Sequence, residues 1–277
     1  MAMVDTHVHP ISEDRARYPL SPGEGPPWYL DWHFTVEEIL QQMDHAGVDQ
    51  VVLVSSASAY GTDNSYAADA AQQYPARCVG VCRIDGNAAT APEALRGWIE
   101  ERGMRGARLG AGGPRAFPVC ERAQELGIPV AIQLPRERLG EVGEVAKRFP
   151  SLKVILDHLA HPLLESGPPY PDAAPLFALA VMPNVYFKLS TMNIHEASAG
   201  KSTPQAFFET FLERCGPGRL LWGSDFPHTT GSRVEPYKGL VDLASETFSF
   251  LSAADREQVF AGTARSLFPA LDGPARG

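Results

Sequence analysis

Short apolar runs alternate along this chain with longer stretches in which apolar residues recur every three or four positions. Most of the short runs are continuously apolar, which is typical of parallel strands buried on both faces. The pattern predicts eight strands: Met3–His9, Gln50–Ser56, Cys78–Ile84, Gly106–Gly110, Pro129–Leu134, Lys153–Leu159, Val185–Ser190 and Leu220–Pro227.

The stretches between the runs carry helix start and stop signals. Thr35–Glu38 has the Thr-x-x-Glu pattern of a capping box, and the helix that it begins is predicted to end at Gly47. The proline after Thr203 stands at a first-turn position, which suits its fixed backbone angle. Ser252 is predicted to cap a last helix that runs to about Phe268. Further helices are predicted over Pro92–Arg102 and Glu137–Phe149.

Eight strand–helix units in 277 residues predict an α/β fold, a (β/α)₈ TIM barrel in one domain over residues 1–277 with an extra C-terminal helix. The alternative is a doubly wound open sheet, which usually has fewer strands and a Gly-rich first turn. Here the first turn carries His9-Pro10 instead. Residues 10–34 are predicted to form a lid-like loop over the barrel mouth, and residues 270–277 a flexible tail.

Composition narrows the class of protein. A hydrophobic fraction of 44% provides for a substantial core, and a net charge of −9 without a Lys/Arg run argues against nucleic acid and anionic membrane surfaces as partners. No apolar run approaches the ~18 residues of a membrane span, and the N-terminus lacks a signal-peptide plan, so a cytoplasmic protein is expected. The four cysteines form no Cys-x-x-Cys pair and are predicted to be buried apolar residues.

The predicted barrel collects polar residues that are scattered along the sequence. Functional residues of such barrels stand at the carboxyl ends of the strands. Reading those ends in chain order gives His7, His9, Ser55, Ser56, Arg83, Asp85, Arg108, Gln133, His158, Lys188, Ser190 and Asp225. Polar groups that end apolar strands need partners, because burying them unpaired costs stability.

The strand ends also predict which side chains meet. Side chains of a regular strand alternate with period two, so Asp5, His7 and His9 are expected on one face. Closing the barrel brings the eighth strand beside the first, so Asp225 should face the two histidines. The same alternation places Asp157 and His158 on opposite faces, and we assign the inward face to His158.

The chain resembles a known family in several motifs. V-D-T-H-V-H, L-D-H-L-A-H-P, F-K-L-S, W-G-S-D-F-P-H and the closing F-A-G-T-A-R-S-L-F are similar to those of the amidohydrolase superfamily, in its amidohydrolase-2 (amidohydrolase-related) branch. The resemblance runs nearly from end to end. It implies a TIM-barrel hydrolase or decarboxylase that acts on small acids, esters or lactones.

The resemblance also bears on a metal. Metal-dependent relatives hold a divalent ion with the first-strand histidine pair, a fifth-strand histidine and the eighth-strand aspartate. His7, His9 and Asp225 match three of these, but the fifth strand ends at Gln133 without a histidine. That departure resembles the lactonase subgroup, which includes 2-pyrone-4,6-dicarboxylate and sugar-acid lactone hydrolases, some of which work without metal. Two interpretations stay open: no required cofactor, or one zinc or manganese ion bound weakly by the three residues.

The resulting hypothesis is hydrolysis of a small carboxylated lactone or ester. Asp225 is expected to act as general base on a water molecule, while His7, His9 and His158 orient that water and polarise the carbonyl oxygen. The alternatives are a metal-dependent decarboxylase of a small aromatic or unsaturated acid, and a non-catalytic protein that binds a small acid. A homodimer is a further expectation, since barrels commonly associate.

Substrate-binding residues are expected around this group. Arg108 is predicted to clamp a substrate carboxylate in a bidentate way, the alternative being a structural pair with an acid such as Asp85. The other candidates for substrate binding are Gln133, Lys188 and Trp28. His161, by contrast, is expected to be a solvated loop residue.

Overall fold

The computed structural model describes residues 1–21, 34–227, 229–230 and 233–272. Trp28, most of the predicted lid-like loop and residues 273–277 of the predicted tail lie outside the described residues.

Within the described residues, eight parallel strands follow one another around a barrel in chain order. Backbone hydrogen bonds join the last strand to the first: the amide of His9 donates to the carbonyl of Phe226 (2.8 Å), and that of Asp225 donates to the carbonyl of His7 (2.9 Å). The predicted barrel is therefore confirmed, and the open sheet is excluded. The strands are β1 Val4–Val8, β2 Gln50–Val54, β3 Cys78–Ile84, β4 Gly106–Leu109, β5 Val130–Ile132, β6 Val154–Leu156, β7 Val185–Leu189 and β8 Leu220–Trp222.

Helices surround the barrel. The capping box at Thr35–Glu38 is confirmed, and Gly47 ends that helix with a φ of 76°, in the left-handed region that glycine adopts without strain. The helices are α1 Val36–Ala46, α2 Ala57–Tyr60, α3 Ser65–Gln73, α4 Ala91–Glu100, α5 Phe117–Glu125, α6 Leu139–Arg148, α7 Ala174–Ala180, α8 Thr191–Glu196, α9 Pro204–Cys215, α10 Tyr237–Thr247, α11 Ala253–Glu257 and α12 Thr263–Leu267. Thr229–Thr230 (β9) and Arg233–Val234 (β10) pair as a short antiparallel ribbon.

Alternate residues of the strands enter two apolar layers. One layer packs between the strands and the helices, and the other fills the barrel. The second layer is closed at the amino-terminal end of the barrel by Leu267, Phe268 and Leu271. Leu267 and Phe268 end the predicted C-terminal helix, whereas Leu271 lies in the predicted flexible tail and is buried instead, so the tail prediction is wrong at this residue. The interior strand residues are Val4, Val52, Val54, Val79, Val81, Ala131, Ile155 and Leu221. The amino-terminal half of the barrel is therefore a packed apolar core.

Strand β1 breaks the alternation. Asp5 pairs with Val51 and Val8 with Leu53, so three steps along β1 match two along β2, and one extra residue forms a bulge. Val4 packs inside the barrel, whereas Val8 belongs to the layer beneath the helices. The bulge thus reverses the phase of the strand between its two halves.

Two composition-based expectations can be checked on the described residues. All four cysteines are buried with free thiols, and burial raises the pKa of Cys82 to about 12, so they act as small apolar residues as predicted. No helix there is long and apolar enough to cross a membrane.

Candidate active site

The four residues predicted to be catalytic meet at the carboxyl end of the barrel. The Nε2 atoms of His7 and His9 lie 3.2 Å apart, and Asp225 Oδ1 lies 3.5 Å from each of them. The His158 ring stands edge-on to the His7 ring, with centroids 4.7 Å apart. His7 and His158 are buried, whereas the Asp225 side chain keeps 16% of its surface exposed. The site is therefore a buried pair of imidazoles below an accessible carboxylate.

Backbone features aim these side chains. The bulge in β1 turns His7 into the barrel, and Gly223, directly after β8, makes room for it, because a Cβ at that position would lie 2.6 Å from His7 Cβ. Asp225 itself has a φ of 63°, which is unusual for a residue with a side chain. Strained backbone of this kind persists where the surrounding structure enforces it, and it clusters at functional sites.

The bulge also separates Asp5 from His7. The prediction that the two share a face is wrong, because the extra residue lies between them. Asp5 accepts hydrogen bonds from the amide of Ser224 (2.8 Å), the hydroxyl of Tyr237 (2.9 Å) and the amide of His7 (3.0 Å). Burial raises the pKa of Asp5 to about 6, although these hydrogen bonds oppose the rise. Asp5 ties β1 to the end of β8 and to α10.

A left-handed turn follows β6. His158, Leu159, Ala160 and His161 have φ angles of 52°, 50°, 55° and 54°, a conformation that costs residues with side chains roughly 1–2 kcal/mol each. Strand alternation sends Asp157 into the barrel, and the turn then brings His158 into it as well. The prediction that only one of this pair points inward is therefore wrong: both are buried in the site.

Asp157 is the centre of a buried cluster of charges. Arg108 Nε donates to its Oδ2 at 2.7 Å, and Lys188 Nζ lies 2.9 Å from its Oδ1. Burial alone would raise the pKa of Asp157, but Lys188 and Arg108 hold it well below its usual value. Burial in turn lowers the pKa of Lys188. The alternative of a structural pair between Arg108 and an acid is therefore borne out, but the acid is Asp157 and not the exposed Asp85.

Part of the Arg108 guanidinium is not used by its ion pair with Asp157. Its contacts use Nε alone, and its two Nη atoms have no hydrogen-bond partner among the described residues. Lys188 differs, because its Nζ is already engaged by both Asp157 and His7 Nδ1 (3.1 Å). Gln133 is half-buried directly after β5, and its backbone N–H donates to the carbonyl of Leu109. The substrate-binding roles assigned to these residues stay predictions.

Hydrogen bonds assign the tautomers of the histidine pair. A protonated Lys188 donates to His7 Nδ1, which places the His7 proton on Nε2, pointing at His9 Nε2. His9 Nδ1 lies 2.8 Å from the carbonyl of Val54 and donates to it, so His9 Nε2 accepts. Burial lowers the pKa of His7 well below its usual value and that of His158 to about 4. Both rings are neutral at physiological pH.

His7 Nε2, His9 Nε2 and Asp225 Oδ1 form a triangle of donor atoms, the donor triangle, that also fits a divalent cation. A tetrahedral zinc ion with nitrogen and oxygen ligands separates its donor atoms by about 3.3 Å, close to the 3.2–3.5 Å between His7, His9 and Asp225. The Val54 carbonyl orients His9 as an outer-shell partner would. His7 would bind through Nε2 only in its other tautomer. The group of His7, Asp157 and His158 suits a cation less, because Arg108 and Lys188 already neutralise Asp157.

A supporting network behind His158 was not predicted from the sequence. Ser190 Oγ lies 3.0 Å from His158 Nδ1, and Asn193 Nδ2 donates to the carbonyl of His158 (2.7 Å) and to Glu196 (2.8 Å). Glu196 accepts from His161 Nδ1 at 2.8 Å, so the expectation of a merely solvated His161 is wrong. The signal was the Ser-x-x-Asn-x-x-Glu spacing, which places Asn193 and Glu196 on neighbouring positions of α8 with Ser190 as its N-cap residue.

The sequence matches a family model over nearly its whole length and known proteins over about three quarters of it or more. The family model described as amidohydrolase matches residues 4–270. The chain is similar to L-fucono-1,5-lactonase of Burkholderia ambifaria, with 27% identity over 74% of this chain and 75% of that protein. It is also similar to 4-sulfomuconolactone hydrolase of Rhizobium radiobacter, with 25% identity over 81% of this chain and 75% of that protein.

Solved structures share the fold. A probable 2-pyrone-4,6-dicarboxylic acid hydrolase from Acinetobacter baumannii, with citric acid bound, superposes with a TM-score of 0.77 at 21% identity, over 97% of this chain and 100% of that one. An amidohydrolase from Burkholderia multivorans with bound zinc gives 0.74 at 22% (97% and 99%). A dihydroxybenzoic acid decarboxylase from Polaromonas sp. JS666 with bound manganese gives 0.68 at 18% (99% and 98%). With a family model matched from the first strand to the last helix, the chain belongs to the amidohydrolase-2 family.

Proposed function

We propose that the protein hydrolyses a small carboxylated lactone or ester, with Asp225 as general base. The observation that carries the proposal is the position of this carboxylate, 3.5 Å from both His7 Nε2 and His9 Nε2 and open to the barrel mouth. A water molecule beside Asp225 would give up a proton to it while attacking the substrate carbonyl carbon. The φ of Asp225 holds the carboxylate at the mouth.

The imidazoles supply polarisation. His158 is neutral at physiological pH, so it can donate a hydrogen bond to the carbonyl oxygen as negative charge develops there. His7 and His9 orient the attacking water. The Nη atoms of Arg108, which have no partner among the described residues, form a fork that matches a carboxylate, and this favours an anionic substrate.

A divalent ion is compatible with this site. His7, His9 and Asp225 would hold zinc or manganese, and the ion would act as a Lewis acid and lower the pKa of water. The zinc-bound relative from Burkholderia multivorans supports such an ion. Both interpretations use the same three residues, so the amount of metal that purifies with the protein separates them.

The substrate class follows from the chemistry and from the relatives. The Burkholderia ambifaria and Rhizobium radiobacter proteins are named for lactone hydrolysis, and the Acinetobacter baumannii structure for hydrolysis of a dicarboxylated pyrone. All three names refer to opening of a ring ester, and the sulfomuconolactone and the dicarboxylated pyrone also carry acidic groups. The Arg108 fork, at the same end of the barrel as the general base, suits that combination.

The test is Asp225→Asn assayed on a panel of carboxylated lactones, with Asp85→Asn as the matched control at another strand end. Loss of the base should lower kcat by about 10²–10⁴-fold, with the melting temperature unchanged. The exposed Asp85 should be replaceable without effect. Near-wild-type kcat in Asp225→Asn would contradict the proposed base.

A metal-dependent decarboxylase is the second candidate, favoured by the donor triangle and by the manganese-bound decarboxylase of Polaromonas sp.. It requires a tightly bound ion. Near-stoichiometric zinc or manganese by elemental analysis, with release of CO₂ from dihydroxybenzoates and no lactone turnover, would replace lactone hydrolysis with decarboxylation. Lactone turnover after metal removal would exclude the decarboxylase.

A further inference from the structure

His161 and Glu196 form a dyad at the barrel mouth that the general base does not use. His161 Nδ1 donates to Glu196 Oε1 at 2.8 Å, and Glu196 is held from its other oxygen by Asn193 Nδ2 at 2.8 Å. We propose that His161, positioned by Glu196, donates the proton to the leaving oxygen of the lactone. This role rests on the proposed lactone hydrolysis and adds a second catalytic group to it.

Three rings form a column from the barrel floor to the mouth. His158 lies between His7, at a centroid distance of 4.7 Å, and His161, at 5.7 Å with the two ring planes only 14° apart. His158 is buried, whereas the His161 side chain is 37% exposed. The carbonyl oxygen and the ring oxygen of a lactone sit on the same carbon atom. A carbonyl held by His158 therefore places the ring oxygen toward one of the neighbouring rings, and His161 is the one on the solvent side.

His158 and His161, at the two ends of the turn, have pKa values that are shifted in opposite directions. Burial lowers the pKa of His158 to about 4, while the hydrogen bond to Glu196 raises the pKa of His161. Titratable groups whose environments push their pKa values apart commonly divide acid and base work between them. His161 is thus the more readily protonated of the two rings, and its Nε2 is left for the substrate because Nδ1 faces Glu196.

The left-handed turn holds this geometry. His161 has a φ of 54°, its carbonyl accepts from Arg136 Nη1 at 3.2 Å, and the carbonyl of His158 accepts from Asn193. The turn is therefore pinned on both sides, from the loop after β5 and from α8. Four consecutive residues with positive φ are retained although the sequence there contains no glycine.

The proton balance is complete with water as the only co-reactant. Asp225 takes a proton from water as the water oxygen bonds to the carbonyl carbon. The bond between that carbon and the ring oxygen then breaks, its electron pair goes to the ring oxygen, and His161 Nε2 supplies the proton that makes it a hydroxyl. A solvent molecule returns the proton from Asp225 to His161. The product is the open hydroxy acid.

The test varies the leaving group. His161→Gln and Glu196→Gln are assayed on an aliphatic δ-lactone carboxylate, which leaves as an alkoxide, and on a dihydrocoumarin carboxylate, which leaves as a phenolate. His195→Gln is the matched control, because His195 is exposed on α8, the helix that also carries Glu196. His161→Gln should lose about 10²-fold in kcat on the aliphatic lactone and less than about threefold on the aryl lactone, since a phenolate needs no acid.

The pH profile of Glu196→Gln distinguishes an acid role of His161 from a purely structural role, because a structural role would leave the profile unchanged. The basic limb of the kcat/KM profile on the aliphatic lactone should shift to lower pH, because the hydrogen bond that raises the pKa of His161 is weakened. This profile also decides the matter if His161→Gln does not fold. His195→Gln should match the wild type on both lactones.

The outcomes separate the two claims. Equal losses of His161→Gln on both lactones, or an unmoved basic limb in Glu196→Gln, would overturn the acid role of His161 and leave Asp225 untouched. A loss confined to KM would overturn it too and make His161 a substrate-binding residue instead. Wild-type protein that opens neither lactone would overturn the proposed function itself.

Discussion

The two ends of this barrel share the same eight strands but differ in what fills them. At the amino-terminal end the interior is apolar and is closed by Leu267, Phe268 and Leu271. At the carboxyl end it holds the buried charges of Asp157, Arg108 and Lys188 next to the histidine pair. The unusual backbone is at this end too: the turn after β6 and Asp225 after β8 both have positive φ. One end therefore has the interactions that stabilise a fold, and the other has groups that cost stability and provide chemistry.

Removing the central charge of the site should destabilise the carboxyl end strongly. Asp157→Ala leaves Lys188 and Arg108 buried without a counter-charge, which should lower the free energy of unfolding by about 3–5 kcal/mol. Urea unfolding measures it. Asp242→Ala is the matched control, because it removes the exposed ion pair with Lys238 and should cost at most about 1 kcal/mol. Similar losses in the two variants would show that the buried cluster is not what distinguishes this end.

A substitution at the amino-terminal end of the barrel should lower the stability of the protein and leave its activity nearly unchanged. Leu267→Ala removes a fully packed side chain from the interior layer and should lower the free energy of unfolding by about 3 kcal/mol. Lactone turnover by the folded protein, measured well below its melting temperature, should stay within about twofold of the wild type. A large fall in kcat would mean that the two ends are mechanically coupled and would contradict their separation.

A single added methyl group can test how tightly the site end is packed. In Gly223→Ala the new Cβ would lie 2.6 Å from His7 Cβ and 2.9 Å from the His7 backbone nitrogen, so β1 must shift. We expect a loss of about 2 kcal/mol in stability and about tenfold in kcat, measured together by thermal unfolding and turnover. Gly97→Ala on α4 meets no atom within 4 Å and should stabilise the helix slightly.

A smaller change should appear in the pH dependence of stability. Because the hydrogen bond to Glu196 raises the pKa of His161, the pair stabilises the fold fully below the unfolded-state pKa and loses that contribution as pH rises through the folded-state pKa. Both side chains are partly exposed, so the gain is only about 0.5 kcal/mol. Glu196→Gln should therefore destabilise the protein at pH 6 and differ less from the wild type at pH 9, as followed by urea unfolding. A difference that grows with pH would contradict the assignment.

The fold and part of the site were predictable from the sequence for a physical reason. Parallel strands buried on both faces leave continuous apolar runs, and helix caps leave local signatures such as Thr35–Glu38. Once eight such units close into a barrel, the strand ends must share one rim. His7 and His9 therefore meet Asp225 although more than 200 residues separate the two histidines from the aspartate in the chain.

The rest depends on backbone geometry without a sequence signature. The left-handed turn that turns His158 and His161 into the site contains no glycine, and the bulge that separates Asp5 from His7 contains none either. Period-two reasoning holds only while a strand stays regular, so it is unreliable at strand ends, where the functional residues stand. The partners of Asp157 lie on other strands, and no local pattern identifies them.

The bulge in β1 should govern how this strand tolerates variation. A scan of every substitution from Val4 to His9 would show tolerance rising and falling with every second position. That alternation would shift by one residue between Asp5 and Val8, because the bulge changes which residues of the strand face the barrel interior. Deleting Thr6 would restore a regular ladder in which His7 lies beside Val52 and still faces the barrel interior, so the strand could lose the bulge without turning the histidine pair out of the site.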